Sequence, residues 1–270
     1  MLDSASTDGS AEMVRGEFPQ VTLLANGENL GYSKGNNWGI RESQGEFLFV
    51  LNPDTVLQPG AVGSLLNYLR ANPEVGLCGP RLISTDGSTQ SSRRRWPTLW
   101  TGMFESTWLQ PIAPPALLRR YYAQDLPDDR PALVDWVTGA ALFLRGEVYR
   151  QVGGLDEGFF MYSEELDWCR RIQAAGWKVA YVPSAVVVHL QGKSSERAVA
   201  AETQIRFQRS KLRYFRKYHG SLAAGLLRAF FMLNYAQQIA VESAKLVLGQ
   251  KPDLRRKRIA EYWEVLKSRL

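Results

Sequence analysis

The sequence predicts an α/β protein in two parts, a mixed-sheet domain over residues 1–195 followed by a basic helical segment over residues 196–270. Three observations predict it. In the first part, short apolar runs alternate with amphipathic stretches and glycine-rich turns, the pattern of strands and helices layered on one sheet. The second part has few helix breakers before Gly249 and Pro252, so it reads as nearly continuous helix. Charge divides at the same place. Residues 1–195 carry 17 basic against 21 acidic side chains and residues 196–270 carry 16 against 6, so the net +6 conceals −4 followed by +10. Two parts with different partners follow, with the boundary near Gly192–Glu196.

Taken in order, Val21–Ala25 reads as a strand, Ser33–Ser43 as a helix, Phe47–Leu51 as a buried strand and Gly60–Ala71 as a helix. The strand Val75–Ile83 runs into a turn at Asp86–Gly87, and Trp136–Leu144 is a further buried run. Between them Arg93–Arg130 scatters Pro, Trp and Arg without periodicity. It is too long for an ordinary connection, which makes it a candidate substrate loop or lid. Ala185–Val188 is a short apolar strand closed by His189.

From Leu222 to Leu248 apolar residues dominate but are interrupted by Arg228, Asn234, Gln237, Gln238, Glu242 and Lys245, too polar a stretch to span a bilayer and suited to lying along one. The flanking clusters Arg206, Arg209, Lys211, Arg213, Arg216, Lys217 and Arg255–Arg258 would be drawn to an anionic membrane surface, each basic residue adding about 1 kcal/mol. The competing reading is an ordinary helical appendage packed on the first part.

Composition excludes several classes. A hydrophobic content of 45% in 270 residues supports one large core or a core with an appendage. Cys78 and Cys169 are far apart and lack a CxxC spacing, so neither a disulfide framework nor a thiolate zinc site is expected, and a reducing cytoplasmic setting fits. The N-terminus has no basic segment followed by an apolar stretch, so no signal peptide is expected. Arg93–Arg94–Arg95 is a solvated run or a phosphate contact, too short to favour nucleic acid.

The densest chemistry lies in Phe159-Phe160-Met161-Tyr162-Ser163-Glu164-Glu165-Leu166-Asp167-Trp168, three carboxylates among aromatic and thioether side chains. Carboxylates beside apolar walls lose hydration and so pair, bind a cation or hold a proton, which is how general acids and bases are made. The structural alternative is a helix start, with Ser163 as N-cap and acids in the first turn. A second signal, Asn52-Pro53-Asp54, follows directly on the strand Phe47–Leu51. Ligands of open α/β sheets meet the carboxyl ends of strands, so Asp54 stands where a cation with substrate phosphates would be held, unless the tripeptide is only a turn. His189, one of two histidines in the chain, closes a strand and could complete that cation site if the two strands converge. Thr138-Gly139-Ala140 suits close approach of backbone to a ligand. Beside it, Trp136 stacks on a ligand ring or fills the core, the second reading being the stronger.

In sequence order Asp3-x-x-Ser6-x-Asp8-Gly9, Asn29-Leu30-Gly31-x-x-x-Gly35-Asn36-Asn37, Leu51-Asn52-Pro53-Asp54, Thr138-Gly139-Ala140, Gly153-Gly154-Leu155-Asp156-Glu157-x-Phe159-Phe160-Met161-Tyr162-x-Glu164-Glu165-x-Asp167 and His189 resemble the family 2 glycosyltransferases, the rhamnosyltransferase-like branch in particular. The resemblance runs from the first residue to about Ser195. It implies a GT-A fold, Rossmann-like with a mixed central sheet, and inverting sugar transfer from a nucleoside diphosphate donor. By the same resemblance Asp3 lies by the nucleobase, Asn29, Gly31 and Asn37 flank the nucleotide pocket, and Asn52 and Asp54 meet the diphosphate. Asp54 with His189 would hold Mg²⁺ or Mn²⁺, and Trp136, Thr138 and Gly139 would face the acceptor. The acidic pair supplies the catalytic base; the usual Glu-Asp is Glu164-Glu165 here, which makes Glu165 the base, Glu164 its support, and Asp167 a residue that orients Arg170 or Arg171. Family members also begin with a strand and helix ahead of the Asp3 motif, and the expectation is a start internal to a longer reading frame.

The expected function is therefore metal-dependent transfer of a sugar, from dTDP-rhamnose or a UDP-sugar, to a glycan or polyprenyl-linked acceptor in cell-surface polysaccharide synthesis, at the inner face of the cell membrane. The alternatives are a catalytically impaired nucleotide-sugar-binding fragment and a sugar nucleotidyltransferase. The latter should carry a glycine-rich N-terminal phosphate loop, which the chain lacks.

Overall fold

A computed structural model describes residues 1–190 and 200–270, the expected boundary near Gly192–Glu196 lying outside them. The chain forms two compact units. One is Met1–Trp96 with Tyr122–Gln191, and the other joins Pro97–Tyr121 to the C-terminal helices.

The first unit opens with β1 (Leu2–Ser4), α1 (Ser10–Glu17), β2 (Leu24–Asn26) and α2 (Gly31–Arg41), followed by β3 (Phe47–Leu51), β4 (Thr55–Leu57), α3 (Ala61–Ala71), β5 (Val75–Ile83) and β6 (Arg93–Arg94). After the excursion into the second unit, whose helices include α4 (Leu99–Phe104) and α5 (Pro115–Tyr121), come β7 (Ala132–Val134), β8 (Trp136–Val137), β9 (Ala141–Arg145), α6 (Gly146–Val152), α7 (Glu164–Ala174) and β10 (Lys178–His189). The central sheet has the order β3-β9-β5-β10-β4, with β7 also on β10. It is mixed, as the sequence predicts: β5 and β10 are parallel and the other pairs antiparallel.

β10 serves two neighbours on its far side, pairing with β7 near Val179–Tyr181 and with β4 at Val187–His189. Its ladder with β5 slips between Val182 and Val186. Pro183, which has no N–H to donate, sits in that interval. β1 and β2 form a separate parallel pair.

The core explains the strand pattern. Leu65 and Leu69 of α3 pack with Val75, Cys78, Phe143, Ala180, Val182 and Ala185 of the sheet, and Phe47 stacks on Phe143 at 5.7 Å. Leu82, Ala140, Ala141 and Val187 form a smaller cluster beside Leu51, under the strand ends that carry the chemistry. Burial pushes the free Cys169 thiol up to about 12, so it stays protonated and unreactive.

Three expectations change. The strand Val21–Ala25 shrinks and shifts to Leu24–Asn26. The run Trp136–Leu144 is two strands with a break at Thr138–Gly139–Ala140. The proposed lid Arg93–Arg130 is largely folded, and its α4 has a reciprocal cap in which Thr101 N–H donates to Thr98 Oγ1 at 3.2 Å and Thr98 N–H to Thr101 Oγ1 at 2.7 Å.

In the second unit α8 (Ala200–Val247) turns at Gly220 and is followed by α9 (Pro252–Lys267). Tyr214, Phe215, Leu227, Phe231 and Val265 fill its interior. Several basic residues expected on a membrane face are instead structural. Lys211 is buried, 3.0 Å from Glu105 and over the Phe207 and Phe231 rings. Arg255 and Arg258 turn to the buried Glu242, at 2.7 and 3.7 Å. Burial pushes the Glu242 carboxyl up, but hydrogen bonds from Arg255 and Lys245 outweigh it and hold the group below the ordinary range. Among the described residues, no helix is long and apolar enough to cross a membrane.

Candidate active site

Two strand ends bring the predicted residues together. β3 pairs with β9 so that Leu51 faces Ala141, and beyond the last pair Asn52 N–H donates to the Ala140 carbonyl at 3.0 Å. That bond lays Asn52-Pro53-Asp54 beside Thr138-Gly139-Ala140. Thr55 Oγ1 donates to the Asn52 carbonyl at 2.6 Å, which closes the turn and starts β4.

β4 then runs antiparallel to the end of β10, with Thr55 opposite His189, and Leu190 N–H donates to the Asp54 carbonyl at 2.9 Å. The convergence that a site built from Asp54 and His189 requires is present: His189 Nε2 lies 3.5 Å from Asp54 Oδ1, with both side chains largely buried. Carboxylate oxygen and imidazole nitrogen are both ligands for divalent cations, so the donor set fits Mg²⁺ or Mn²⁺. Among the described residues no group of three or more His, Cys, Asp or Glu gathers at metal-binding range, so a cation held here would draw most of its ligands from phosphate and water.

On the other side of Thr138-Gly139-Ala140 stands α7. Gly139 N–H donates to Glu165 Oε1 at 3.3 Å, and the Tyr32 hydroxyl donates to the Gly139 carbonyl. A Cβ on Gly139 would lie 3.2 Å from the Tyr32 oxygen, so only glycine fits here without movement. Gly31, at φ 72°, is equally constrained: an added Cβ would meet the Phe160 carbonyl at 2.5 Å, and the next residue's N–H, that of Tyr32, donates to that carbonyl at 2.7 Å. The aromatic block thus packs on the start of α2.

The electrostatics of the pair are asymmetric. Burial, then the charge of Glu165, raises the Glu164 carboxyl well above the ordinary carboxylate range. Burial also raises Glu165, but N–H groups, Gly139's among them, and the Arg94 guanidinium oppose it. The two acids are therefore pushed apart, with Glu164 the stronger holder of a proton and Glu165 the carboxylate that ionises first. Glu164 Oε2, Glu165 Oε2 and Thr138 Oγ1 are buried without a hydrogen-bond partner. Buried oxygens are normally satisfied, and a cluster of exceptions marks a place where a ligand's polar groups fit. Tyr32 is raised well above its ordinary value, by burial and then by the two glutamates, so it remains a neutral donor.

Ser163 does not cap α7. It is left-handed at φ 65°, follows Tyr162 at φ 71°, and makes no side-chain capping bond. Two successive non-glycine residues in this region store strain directly before the acidic pair. Asp167 is wholly buried and 2.8 Å from Arg171 Nε, while Arg171 also donates to the carbonyls of Val152 at 3.0 Å and Gly154 at 2.6 Å. The pair ties α7 to the loop after α6 and assigns Arg171 to structure.

Other expected site residues have different settings. Asn37 is buried, with Nδ2 donating to the Leu155 carbonyl at 2.8 Å and to Glu157 Oε1 at 3.0 Å, and Oδ1 accepting from Leu155 N–H at 2.8 Å. Its amide holds the 155–157 loop, so at the expected flank of the nucleotide pocket it positions that loop. Asn29 Oδ1 accepts from Gly31 N–H at 3.0 Å, and buried Asp3 accepts from Ser6 N–H at 3.3 Å. Trp136 fills the core: its Nε1–H donates to the Arg95 carbonyl at 3.0 Å and Arg94 covers its ring, so it is not an open platform for a sugar. Arg93 is no phosphate contact, because its guanidinium donates to the carbonyls of Ala123, Leu126 and Pro127 and pairs with Asp128 at 2.7 Å.

Sequence reading passed over Tyr32 and Gln90. Tyr32 sits inside the Gly31–Asn37 motif, whose pattern is carried by its glycines and asparagines. Gln90 follows the Asp86–Gly87 turn, which folds the chain back along β5 so that Gln90 N–H donates to the Leu82 carbonyl at 2.8 Å. β5 neighbours the end of β10, and Gln90 Nε2 there donates to the His189 carbonyl at 2.8 Å, with Oε1 3.0 Å from His189 Nδ1.

Residues 1–143 match the model of glycosyl transferase family 2. The chain is 36% identical over 214 residues to N-acetylglucosaminyl-diphospho-decaprenol L-rhamnosyltransferase of Mycobacterium tuberculosis, covering 74% of this chain and 69% of that protein. It is 28% identical over 175 residues to the low-salt glycan biosynthesis hexosyltransferase Agl10 of Haloferax volcanii, covering 63% of this chain and 52% of that one. In fold it is similar to GalNAc-T7 bound to UDP, GalNAc and Mn²⁺ (TM-score 0.57, 14% identity, 99% of this chain and 48% of that one). It is also similar to the mannosyltransferase PcManGT of Pyrobaculum calidifontis bound to GDP-Man and Mn²⁺ (TM-score 0.52, 16% identity, 99% and 77%). The fold is that of the GT-A glycosyltransferases.

Proposed function

The chain belongs to glycosyl transferase family 2, and for this nucleotide-sugar glycosyltransferase we propose an inverting transfer of a hexosyl group, rhamnose from dTDP-rhamnose before a UDP-sugar, to a glycan or polyprenyl-diphosphate-linked acceptor. The observation that carries the reading is the acidic pair beside Gly139, where Glu165 Oε1 accepts from the Gly139 N–H and an oxygen of each glutamate is buried without a hydrogen-bond partner. Rhamnose and the lipid-linked acceptor rest on the likeness to the mycobacterial enzyme.

In the proposed reaction the acceptor hydroxyl sits against Glu165 Oε2. As its oxygen bonds to the anomeric carbon, its proton passes to Glu165 and the bond from that carbon to the diphosphate breaks on the opposite face, inverting the centre. The Gly139 N–H holds Glu165 Oε1, so the other oxygen is the one that receives the proton. Glu164 stays neutral beside it and spares Glu165 a second charge at close range. Asp54 and His189 would hold Mg²⁺ or Mn²⁺, which when bound offsets the charge developing on the departing diphosphate. Asp3 in β1, Gly31 at the start of α2 and Asn29 just before it remain our assignment for the nucleotide side.

A lipid-linked acceptor favours work at a membrane, and exposed Leu222, Leu226, Leu233, Val247 and Leu248, with exposed Arg209, Arg213, Arg216, Arg256 and Lys257, support peripheral binding to an anionic inner-leaflet surface. The donor assignment is tested by thermal shift against a panel of nucleotide sugars with and without Mn²⁺, since a ligand at a hundred times its Kd adds about 2.7 kcal/mol. A selective rise with dTDP-rhamnose is expected. A rise with UDP-sugars alone would move the donor assignment, and none with any nucleotide sugar would sink the reading.

A further inference from the structure

Gln90 grips His189 from two sides, and the chemistry of the amide decides which proton His189 carries. The His189 carbonyl can only accept, so the atom 2.8 Å from it must be the Gln90 nitrogen, whose N–H groups also reach Ser84 Oγ at 3.1 Å. The other amide atom is then the oxygen. An amide oxygen only accepts, so His189 Nδ1, 3.0 Å away, is the protonated ring nitrogen. In the neutral ring Nε2 then keeps its lone pair and faces Asp54 Oδ1 at 3.5 Å. Two electron pairs facing each other are a poor arrangement in themselves and a good one around a cation.

We propose that Gln90 is a positioning residue for the diphosphate end of the site: it holds His189 as the Nδ1–H tautomer and turns Nε2 toward the place that a divalent cation shares with Asp54. The assignment rests on the proposed cation reading. Its geometry comes from the Asp86–Gly87 turn, because Ser88 N–H and Oγ bond Asp86 Oδ1 at 2.9 and 2.6 Å and return the chain to β5 at Gln90. Free histidine in water favours the opposite tautomer, so Gln90 has a defined task.

The test reads the tautomer directly. The chain has two histidines, and the variant His219→Asn leaves His189 alone for long-range proton–nitrogen NMR of the metal-free protein at about pH 8.5, well above the ordinary histidine value. An Nδ1–H pattern is expected. Gln90→Leu should move it toward Nε2–H and weaken Mn²⁺ binding, followed by electron paramagnetic resonance of the free ion, about 10–100-fold. Gln90→Glu, which still offers an acceptor to Nδ1, should keep the Nδ1–H pattern. A residue of purely structural importance would lower the melting temperature without moving the tautomer.

An Nε2–H pattern in the otherwise native chain would overturn the proposal even if Gln90→Leu failed to fold. So would an Nδ1–H pattern or an Mn²⁺ affinity unchanged in Gln90→Leu. Unchanged Mn²⁺ affinity in His189→Ala would instead remove the cation site itself. Loss in His189→Ala with none in Gln90→Leu would remove only the role of Gln90.

Discussion

Tyr32 and Glu165 hold the two faces of one residue: the Tyr32 hydroxyl donates to the Gly139 carbonyl, and Glu165 Oε1 accepts from the Gly139 N–H at 3.3 Å. The base is thereby positioned by a loop that α2 fixes from the other side. Tyr32→Phe removes the donor and leaves a buried carbonyl unsatisfied. Turnover should fall about tenfold, equivalent to about 1.4 kcal/mol, with donor affinity little changed. Steady-state kinetics with varied donor separates the two effects, and a change confined to KM would argue against this role for Tyr32.

The acidic pair predicts opposite pH effects on rate and stability. Glu165, raised above the carboxylate reference of 4.5, acts as base only when ionised, so kcat/KM should decline with falling pH at a value above 4.5. Glu164 is raised further, so between 4.5 and its folded value the folded chain binds a proton that the unfolded chain lacks. Its contribution to stability is full below about pH 4.5 and is lost as pH rises through the folded value. Glu164→Gln cannot ionise and should melt above the native protein at about pH 8, the difference vanishing near pH 4. Equal melting temperatures at both pH values would contradict the assignment.

Asp167 is a different kind of acid. It is wholly buried against Arg171, so Asp167→Asn should cost about 3 kcal/mol by leaving the guanidinium without its charge partner. Chemical denaturation measures the loss. The pH dependence of kcat/KM at a permissive temperature should be unaltered; a displaced acid limb would place Asp167 in the chemistry.

The acidic block, Asp54 and His189 were legible because each is an unusual residue at a strand or helix end, a property of local sequence. β5 was legible because a strand buried on both faces reads as an apolar run, and β3 because all five of its residues are apolar although only Leu48 and Val50 are fully buried. α1 was not, since eight residues with Gly16 inside give little periodicity. The hydrogen bonds of Gln90 and Asn37 depend on partners 99 and 118 residues away, His189 and Leu155, and no local pattern reports such pairings. The alternative reading of Ser163 as an N-cap is not met, because the chain takes a left-handed path there and its side chain makes no capping bond.

The C-terminal helices should bind vesicles containing anionic lipid and release them with added salt. Arg256→Gln and Lys257→Gln together, at exposed positions, should weaken binding about 30-fold, at about 1 kcal/mol for each charge removed. Co-sedimentation measures it. Equal binding to neutral vesicles would leave only the apolar face as the anchor.

The most direct test of the central claim is the transfer rate of Glu165→Gln at saturating donor, read as release of the nucleoside diphosphate, alongside its donor affinity. A loss of about 10²–10⁴-fold in rate with donor affinity retained is the result expected of a missing base. A rate within about twofold of the native protein would contradict the assignment of Glu165 and the mechanism built on it.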